Sequence, residues 1–580
     1  MQIQGTKLFT KALKEEAVDM IFVYPGACNI DLFDALYDEP DIEMILARHE
    51  QGLAHAADGY ARSSGKVGVC LVTSGPGATN LVTAIATANY DSVPMVCFTG
   101  QVATGLIGND AFQEVDIVGI TKSISKYSIT VRKREDLGRI IKEAFYIARS
   151  GRPGPVVVDL PKDVMLEMGE DRYPDTVSIR GYKPSSGVHM GQIKKAMELL
   201  VNAKKPLFLI GGGVNISHAR SEFTELANIM QIPVITTILG KGAIPTKNPL
   251  FVGNIGMHGS YAANMAASEC DVLFSIGTRF NDRITGKITE FASNAKIVHI
   301  DVDPASISRN IKVDVPIVAD AKEAVKKLLE SARTCSTGEW LQQIQAWKEE
   351  RPLESMVNTA AKSGAYPTPK GIIEAINRQF DSCIMVTDVG QNQMFTTQYL
   401  EMDEKKQLLT SGGLGTMGYG LPAAIGAKLA NPEENVIMVA GDGGMQMNIQ
   451  EMATAVAHEL PLVLCIFNNG YLGMVKQWQQ LFYEKRYSGT CMRYRISCKE
   501  NCGKPGKECP PYTPDYVKLA ESYGANGIRV TDAGDVAQAL QTAAKSTKVP
   551  TIIEFIIEDD LIVLPMVKSG QAINEMILDC

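Results

Sequence analysis

The chain has 580 residues, 45% of them hydrophobic and 21% charged, with a formal net charge of −8. That length exceeds what one hydrophobic core serves and predicts two to four domains. The acidic balance argues against nucleic-acid binding, and no run of about 18 or more apolar residues is present to span a membrane.

Met1 to Glu16 carry no charged-then-apolar leader and run directly into a helical pattern, the expectation for a mature cytoplasmic protein. Apolar runs at Val67–Val72, Pro94–Phe98 and Pro155–Leu160 then alternate with helical stretches, so residues 1–168 read as a first α/β domain. Gly169 to Gly187, polar and containing Tyr-Pro and Lys-Pro, reads as a linker. Residues 190–330 form a second alternating block, with strands at Pro206–Ile210, Asp271–Ile276 and Ile297–Asp301. The charged segment Ser331 to Ala365, with Trp340 and Trp347, is predicted to be a helical connector. A third block, 366–557, has strands near Cys383–Thr387, Val436–Ala440, Pro461–Phe467 and Thr551–Ile556, and 558–580 remain as a tail. The fold class is α/β: three domains with parallel sheets flanked by helices, the first and third of similar size and rhythm.

The strongest chemical signal is Gly441-Asp442-Gly443-Gly444, directly after a predicted strand and before a predicted helix, Asn448 to His458. Glycines let backbone N–H groups approach a phosphate, and a helix N-terminus favours an anion. Asp442 suits a magnesium ion bridging two phosphates, because hard cations take oxygen ligands. Asn468-Asn469-Gly470-Tyr471 follows the next strand, with Asn469 27 positions beyond Asp442. A bare Gly-Asp-Gly is far more often a tight turn. A second strand end carrying Asn-Asn shifts that balance, because two parallel strand ends bring a carboxylate and an amide oxygen to one pyrophosphate.

At these motifs the chain resembles the thiamine-diphosphate enzymes and, within them, the acetolactate (acetohydroxyacid) synthase catalytic subunits. The likeness covers nearly the whole chain. It includes Arg48-His49-Glu50-Gln51-Gly52, Thr73-Ser74-Gly75-Pro76-Gly77-Ala78-Thr79-Asn80, Asp110-Ala111-Phe112-Gln113-Glu114 and Gly256-Met257-His258-Gly259. Arg279-Phe280-Asn281-Asp282-Arg283, Gly412 to Gly418 and Gly473-Met474-Val475-Lys476-Gln477-Trp478 continue it. The resemblance implies a thiamine-diphosphate-binding fold in the first and third domains and a Rossmann-like FAD-binding domain between them. The implied activity is decarboxylation of pyruvate and transfer of the two-carbon unit to pyruvate or 2-oxobutanoate in branched-chain amino-acid biosynthesis.

The resemblance also assigns residues. Glu50, alone an ordinary surface glutamate, is expected against N1′ of the aminopyrimidine, sharing a proton so that the cofactor's own amine removes the C2 proton. Gln113 and Lys162 are expected beside it in catalysis. Thr73, Asn80, Val389, Gly390, Gln391, Asn392, Gly415, Gly441, Gly443, Gly444, Gly473 and Met474 are expected to hold thiamine diphosphate, with Met417 propping it bent. Asp442, Asn469 and the Tyr471 main-chain carbonyl are the implied Mg2+ ligands. Arg152, Gly211, Gly212, Gly213, Met257, His258, Gly277, Arg279, Asp301, Asp320, Gly412 and Gly413 are the implied FAD contacts, the flavin doing no net redox work. Phe112, Arg283 and Trp478 are expected to select the acceptor 2-oxo acid, arginine because its planar fork matches a carboxylate.

The family builds its site between two chains, which implies a homodimer or tetramer, and a small regulatory subunit is common in it. Departures from the family pattern are Ala27 and Cys28 in Tyr24-Pro25-Gly26-Ala27-Cys28, Ala103 for proline, and Asn392 for histidine. Cys491, Cys498, Cys502 and Cys509 form a cluster unusual for the family that suits Zn2+ or an iron–sulfur cluster, with free thiols as the main alternative and disulfides a lesser one. A plain decarboxylase, a flavin-dependent pyruvate oxidase and an inactive flavoprotein scaffold are the competing readings. No two of the seven histidines are adjacent, against the first. Intact Glu50, Asp442 and Asn469 count against the last.

Overall fold

The computed structural model describes residues 2–184, 187–353, 366–493 and 513–579. Three six-stranded sheets carry the architecture, and every pairing within them is parallel. The first contains β1 (Met20–Val23), β2 (Glu43–Leu46), β3 (Gly68–Val72), β4 (Met95–Gln101), β5 (Tyr127–Thr130) and β6 (Pro155–Pro161), in the order β2-β1-β3-β4-β6-β5. The central sheet contains β7 (Pro206–Ile210), β8 (Val234–Thr236), β9 (Phe251–Asn254), β10 (Val272–Ile276), β11 (Lys296–Asp301) and β12 (Val315–Val318), in the order β9-β8-β7-β10-β11-β12. The third contains β13 (Cys383–Thr387), β14 (Lys406–Leu409), β15 (Val436–Gly441), β16 (Val463–Asn468), β17 (Asn526–Val530) and β18 (Thr551–Ile556). Its order, β14-β13-β15-β16-β18-β17, repeats the connectivity of the first sheet.

The strands read as continuous apolar runs because helices cover both faces of a parallel sheet. In β4, Val96 and Phe98 join one core cluster while Met95 and Cys97 join the other. The first and third domains meet along α1 (Glu50–Ser64) and α2 (Gly420–Ala430). Their backbones touch: a Cβ on Gly59 would lie 2.1 Å from the Ala423 carbonyl oxygen, and one on Gly426 1.8 Å from that of Ala56. Asp58 ties the layer together, accepting from Arg62 Nε at 2.6 Å and from Tyr419 Oη at 2.8 Å.

Three local expectations are corrected and a fourth is extended. The predicted linker opens as a strand, Met168–Glu170, paired antiparallel with Gln2–Gln4 at the chain start. A short helix, Asp442–Met447, begins directly after Gly441 with the glycines of this motif in its first turn, and the expected helix Asn448 to His458 follows it as the 3-10 turn Ile449–Glu451 and the helix Met452–Ala457. The predicted connector belongs to the central core: Trp340 and Trp347 of the helix Gly338–Glu350 are buried edge to face, and Trp340 Nε1 donates to the Pro206 carbonyl at 3.1 Å. The tail is packed, with Ile562, Leu564 and Met566 buried against Trp478 and Phe482, and Gln477 donating to the Val563 carbonyl. Among the described residues no helix is long and apolar enough to cross a membrane.

Candidate active site

An open parallel sheet leaves a crevice at the carboxyl ends of its strands wherever the strand order reverses. The orders above place these crevices between β1 and β3, between β7 and β10, and between β13 and β15. The residues singled out from sequence cluster at all three.

In the third domain, the chain leaves β13 through Val389, Gly390, Gln391 and Asn392, and leaves β15 into α3 (Asp442–Met447). Between them lies a cavity of about 60 Å³, also lined by Met417, Gly441, Gly443, Gly444, Asn469, Tyr471, Gly473 and Met474. Asp442 is 2% exposed, and burial pushes its carboxyl up to about 7. Its Oδ2 accepts the Gly470 N–H at 3.0 Å, and Asn469 Oδ1 accepts that of Tyr471 at 3.0 Å. An aspartate, an asparagine amide oxygen and a nearby carbonyl form an all-oxygen donor set, which fits Mg2+. Asn392 Oδ1 is buried without a partner while its Nδ2 donates to the Val389 carbonyl. Met417 stands half-buried on a loop between Gly415 (φ 73°) and Gly418 (φ 84°), left-handed positions that favour glycine. Asp388 fixes this loop, its carboxylate accepting the N–H groups of Val389 (2.8 Å), Gly418 (3.0 Å) and Gly420 (2.9 Å).

In the first domain, Glu50 is the first residue of α1, is 8% exposed, and accepts from Asn80 Nδ2 at 2.9 Å. Thr73 Oγ1 and Ser74 Oγ, at the end of β3, are buried without partners, so polar capacity in this crevice is unused by the protein. Gln113 adopts φ 59° with its main chain against Gly75. Lys162 Nζ lies 3.3 Å from Asp31 Oδ2 and donates to the Ala27 carbonyl at 3.1 Å. Phe112 is 86% exposed. Within one chain no residue of the first domain lines either cavity around Met474, so Phe112, Gln113 and Lys162 stand apart from it. The reason is topological, since these residues stand at the first sheet's crevice and Met474 at the third's.

The central crevice opens into a cavity of about 1040 Å³, lined by Gly211, Gly212, Met257, His258, Gly277, Arg279, Gly412 and Gly413 among others. The turns after β7 and β10 touch backbone to backbone, for a Cβ on Gly213 would lie 2.7 Å from Gly277 Cα. Thr278 Oγ1 and Asn281 Oδ1 are buried and unpartnered at its wall. Burial holds the His258 imidazole down at about 4, so the ring is neutral at pH 7, with Nδ1 3.2 Å from the Pro565 carbonyl oxygen. Burial likewise pushes the Asp301 carboxyl up to about 6 and lowers the Arg152 and Arg279 guanidinium groups. Arg152 and Asp320, both expected on the flavin, have protein partners. Arg152 donates to Ser92 Oγ at 2.8 Å and the Asn89 carbonyl at 2.7 Å, and Asp320 caps the helix Ala321–Leu329 by accepting the Lys322 N–H at 2.9 Å.

Trp478 projects from α4 (Gly473–Phe482) into the same cavity, half-buried, its ring edge to face with Phe482. Arg283 Cζ lies 6.0 Å from the indole centroid, so the two expected acceptor residues meet although they belong to different domains. Val389, Gly390, Met474 and Val475 line both this cavity and the smaller one beside Asp442.

Residues 3–120 match the thiamine pyrophosphate enzyme N-terminal TPP binding domain, 193–328 the central domain of those enzymes, and 388–555 their C-terminal TPP binding domain. The chain is 45% identical to a probable acetolactate synthase large subunit of Methanocaldococcus jannaschii, over 99% of this chain and 95% of that one. It is 42% identical to the acetolactate synthase large subunit of Haemophilus influenzae over 100% and 98%. With acetolactate synthase isozyme 3 large subunit of Escherichia coli it shares 41% over 99% and 98%. The chain belongs to the acetolactate synthase large-subunit family.

Against that family's pattern, the departures fall at the crevices. Ala27 is exposed beside Cys28 in the turn after β1, and its carbonyl is the one that holds Lys162. Ala103 opens the turn Thr104–Leu106, its carbonyl accepting the Leu106 N–H at 2.8 Å. Asn392 faces the cavity beside Asp442, its amide Nδ2 donating to the Val389 carbonyl. Of the four clustered cysteines, Cys498, Cys502 and Cys509 lie outside the described residues. Cys491 is a half-buried free thiol whose backbone bridges Tyr471. Sequence reasoning missed Asp388, Glu451 and Lys476. Each is a buried charged side chain acting on backbone groups, a role that residue type and spacing do not mark.

Proposed function

We propose that the chain is the catalytic subunit of an acetolactate synthase. It decarboxylates pyruvate and joins the two-carbon unit to a second 2-oxo acid, pyruvate or 2-oxobutanoate, on the route to isoleucine and valine. The observation that carries this reading is the joining of the cavity beside Asp442 to the cavity of Trp478 and Arg283 through Met474. A cationic fork and an apolar ring at the mouth of a decarboxylating site fit a carboxylate acceptor with a short alkyl tail. A plain decarboxylase needs neither.

Thiamine diphosphate, when bound, supplies an electron sink that stabilises the carbanion left by decarboxylation. Asp442, Asn469 and the Tyr471 carbonyl would hold its Mg2+. The backbone N–H groups at the start of α3 and the Asn392 amide would take the diphosphate, and Met417 would fix the bend. Glu50 would hold and return a proton at the ring nitrogen facing it, in a crevice too dry to compete for that proton. Arg283 would orient the acceptor carboxylate, and Trp478 would pack on its alkyl group and exclude water. FAD fits the central cavity, whose touching glycine turns and unpartnered Thr278 and Asn281 suit a dinucleotide. Gly211, Gly212, Gly277, Arg279, Gly412 and Gly413 would hold it there.

Because Glu50 and Met474 stand at different crevices of one chain, the reading requires a dimer in which the first domain of one copy faces the third domain of the other. A small regulatory subunit is proposed as a further partner because the relatives are named large subunits. Cytoplasmic residence is proposed because the eight cysteines among the described residues are free thiols, which suits a reducing compartment. The deciding experiment is product analysis with pyruvate in the presence of the three cofactors. Acetolactate is expected; acetaldehyde, acetyl phosphate or no product would replace this reading with a decarboxylase, an oxidase or an inactive scaffold.

A further inference from the structure

A carboxylate from the third domain stands at the start of the helix that begins with Glu50. Glu451 is 1% exposed and closes the short turn Ile449–Glu451 downstream of α3. Its Oε1 and Oε2 accept the Arg48 N–H at 3.1 and 3.2 Å, the His49 N–H also donates to it, and Thr454 Oγ1 donates to Oε2 at 2.6 Å. A Cβ on Gly52 would lie 2.6 Å from Glu451 Oε1, so the carboxylate is seated on the first turn of α1 and only glycine admits it. The amides of residues 48 and 49 precede the helix and have no intrahelical acceptor, and the positive end of the helix favours an anion there.

We propose that Glu451 is a positioning residue for Glu50. It pins the backbone of residues 48 and 49 from the opposite domain and thereby sets where the Glu50 carboxyl stands against the cofactor ring. The inference rests on the role proposed above for Glu50. A carboxylate that only staples two domains would change stability when altered and leave proton transfer alone. A positioning carboxylate alters proton transfer in a protein that remains folded and loaded.

Glu451→Gln keeps the shape and one acceptor oxygen but turns an NH2 group toward backbone donors. Two measurements on the full-length protein read the outcome. Hydrogen–deuterium exchange of the peptide spanning residues 46–53, followed without cofactors, should speed up in Glu451→Gln. Proton exchange at C2 of bound thiamine diphosphate should slow by about 10- to 100-fold, the scale of a roughly 1 Å misplacement, with kcat falling by the same factor. The KM for pyruvate and the Kd for thiamine diphosphate should stay within about twofold, since uniform binding is untouched. Unchanged C2 exchange, or a Kd weakened in step with the rate, overturns the positioning role. If Glu451→Ala fails to fold, Glu451→Gln still decides the matter. Glu50→Gln separates the two readings: slowed exchange there with normal exchange in Glu451→Gln defeats only this inference, whereas normal exchange in Glu50→Gln defeats the Glu50 assignment and this inference with it.

Discussion

Trp478 shows what a single residue's position can decide. Were it a core aromatic, shortening it would cost stability alone; half-buried over Arg283 at the wall of an open cavity, it touches whatever enters. One methylene in an apolar pocket is worth roughly 1–3 kcal/mol, or about 10- to 200-fold in discrimination. Trp478→Leu should therefore keep acetolactate formation and lower the ratio of acetohydroxybutyrate to acetolactate when pyruvate and 2-oxobutanoate compete, measured by chromatography of the products. A second residue-scale expectation concerns Asp159, buried in β6, whose carboxyl burial pushes up to about 6 although Thr99, Gln101 and Thr130 donate to it. Its unfolded value lies near about 3.9, so the folded state binds the proton more tightly. That contribution is present in full below about pH 4 and is lost as pH rises through about 6. Asp159→Asn should flatten the fall in urea midpoint between those two pH values, and an undiminished fall in the variant would assign the slope to other groups. At this scale the sequence marked Asp442 and Asn469, which line one cavity, because Gly-Asp-Gly followed by Asn-Asn is unusual in spacing. It hid Asp388 and Glu451, whose partners are backbone amides that only the fold brings near.

At the scale of elements, the parallel strands were legible because both faces are buried, so Val436–Gly441 or Pro155–Pro161 reads as one apolar run. Short strands such as Val234–Thr236 and Lys406–Leu409 gave no comparable run, and the packed tail has no periodicity at all; its order comes from side chains such as Gln477 and Gln398 that donate to its carbonyls. The α1–α2 contact was equally silent in sequence, since a glycine in a helix is usually only a weak spot. Here two glycines allow backbones to meet. Gly59→Val and Gly426→Val each drive a side chain into a carbonyl that cannot swing aside, and each should destabilise by at least about 1–3 kcal/mol. Scanning calorimetry should show both transitions lowered, with Gly187→Val, which meets nothing within 4 Å, as the unaffected control.

For the whole molecule, the separation of Glu50 from Asp442 within one chain makes a counting prediction. Glu50→Gln and Asp442→Ala homodimers should each be nearly inactive. A mixed dimer holds one centre with both defects and one with neither, so reassociating equal amounts should restore activity to about one quarter of wild type, half of the dimers being mixed. Mixtures that stay at the level of the parents would place both residues in one chain's own centre.

The contact between α1 and α2 also sets a schedule for synthesis. Asp58 and the Tyr419 hydroxyl that caps it are 361 residues apart. At roughly 5–20 residues per second, the first domain waits on the order of tens of seconds on the ribosome before the helix that covers α1 emerges. Throughout that interval the Ala56–Gly59 face, shaped to accept another backbone closely, lies open with Asp58 lacking its Tyr419 partner. The nascent first domain is therefore an aggregation-prone stage in the life of this chain, and expressing residues 1–168 alone would make that stage permanent.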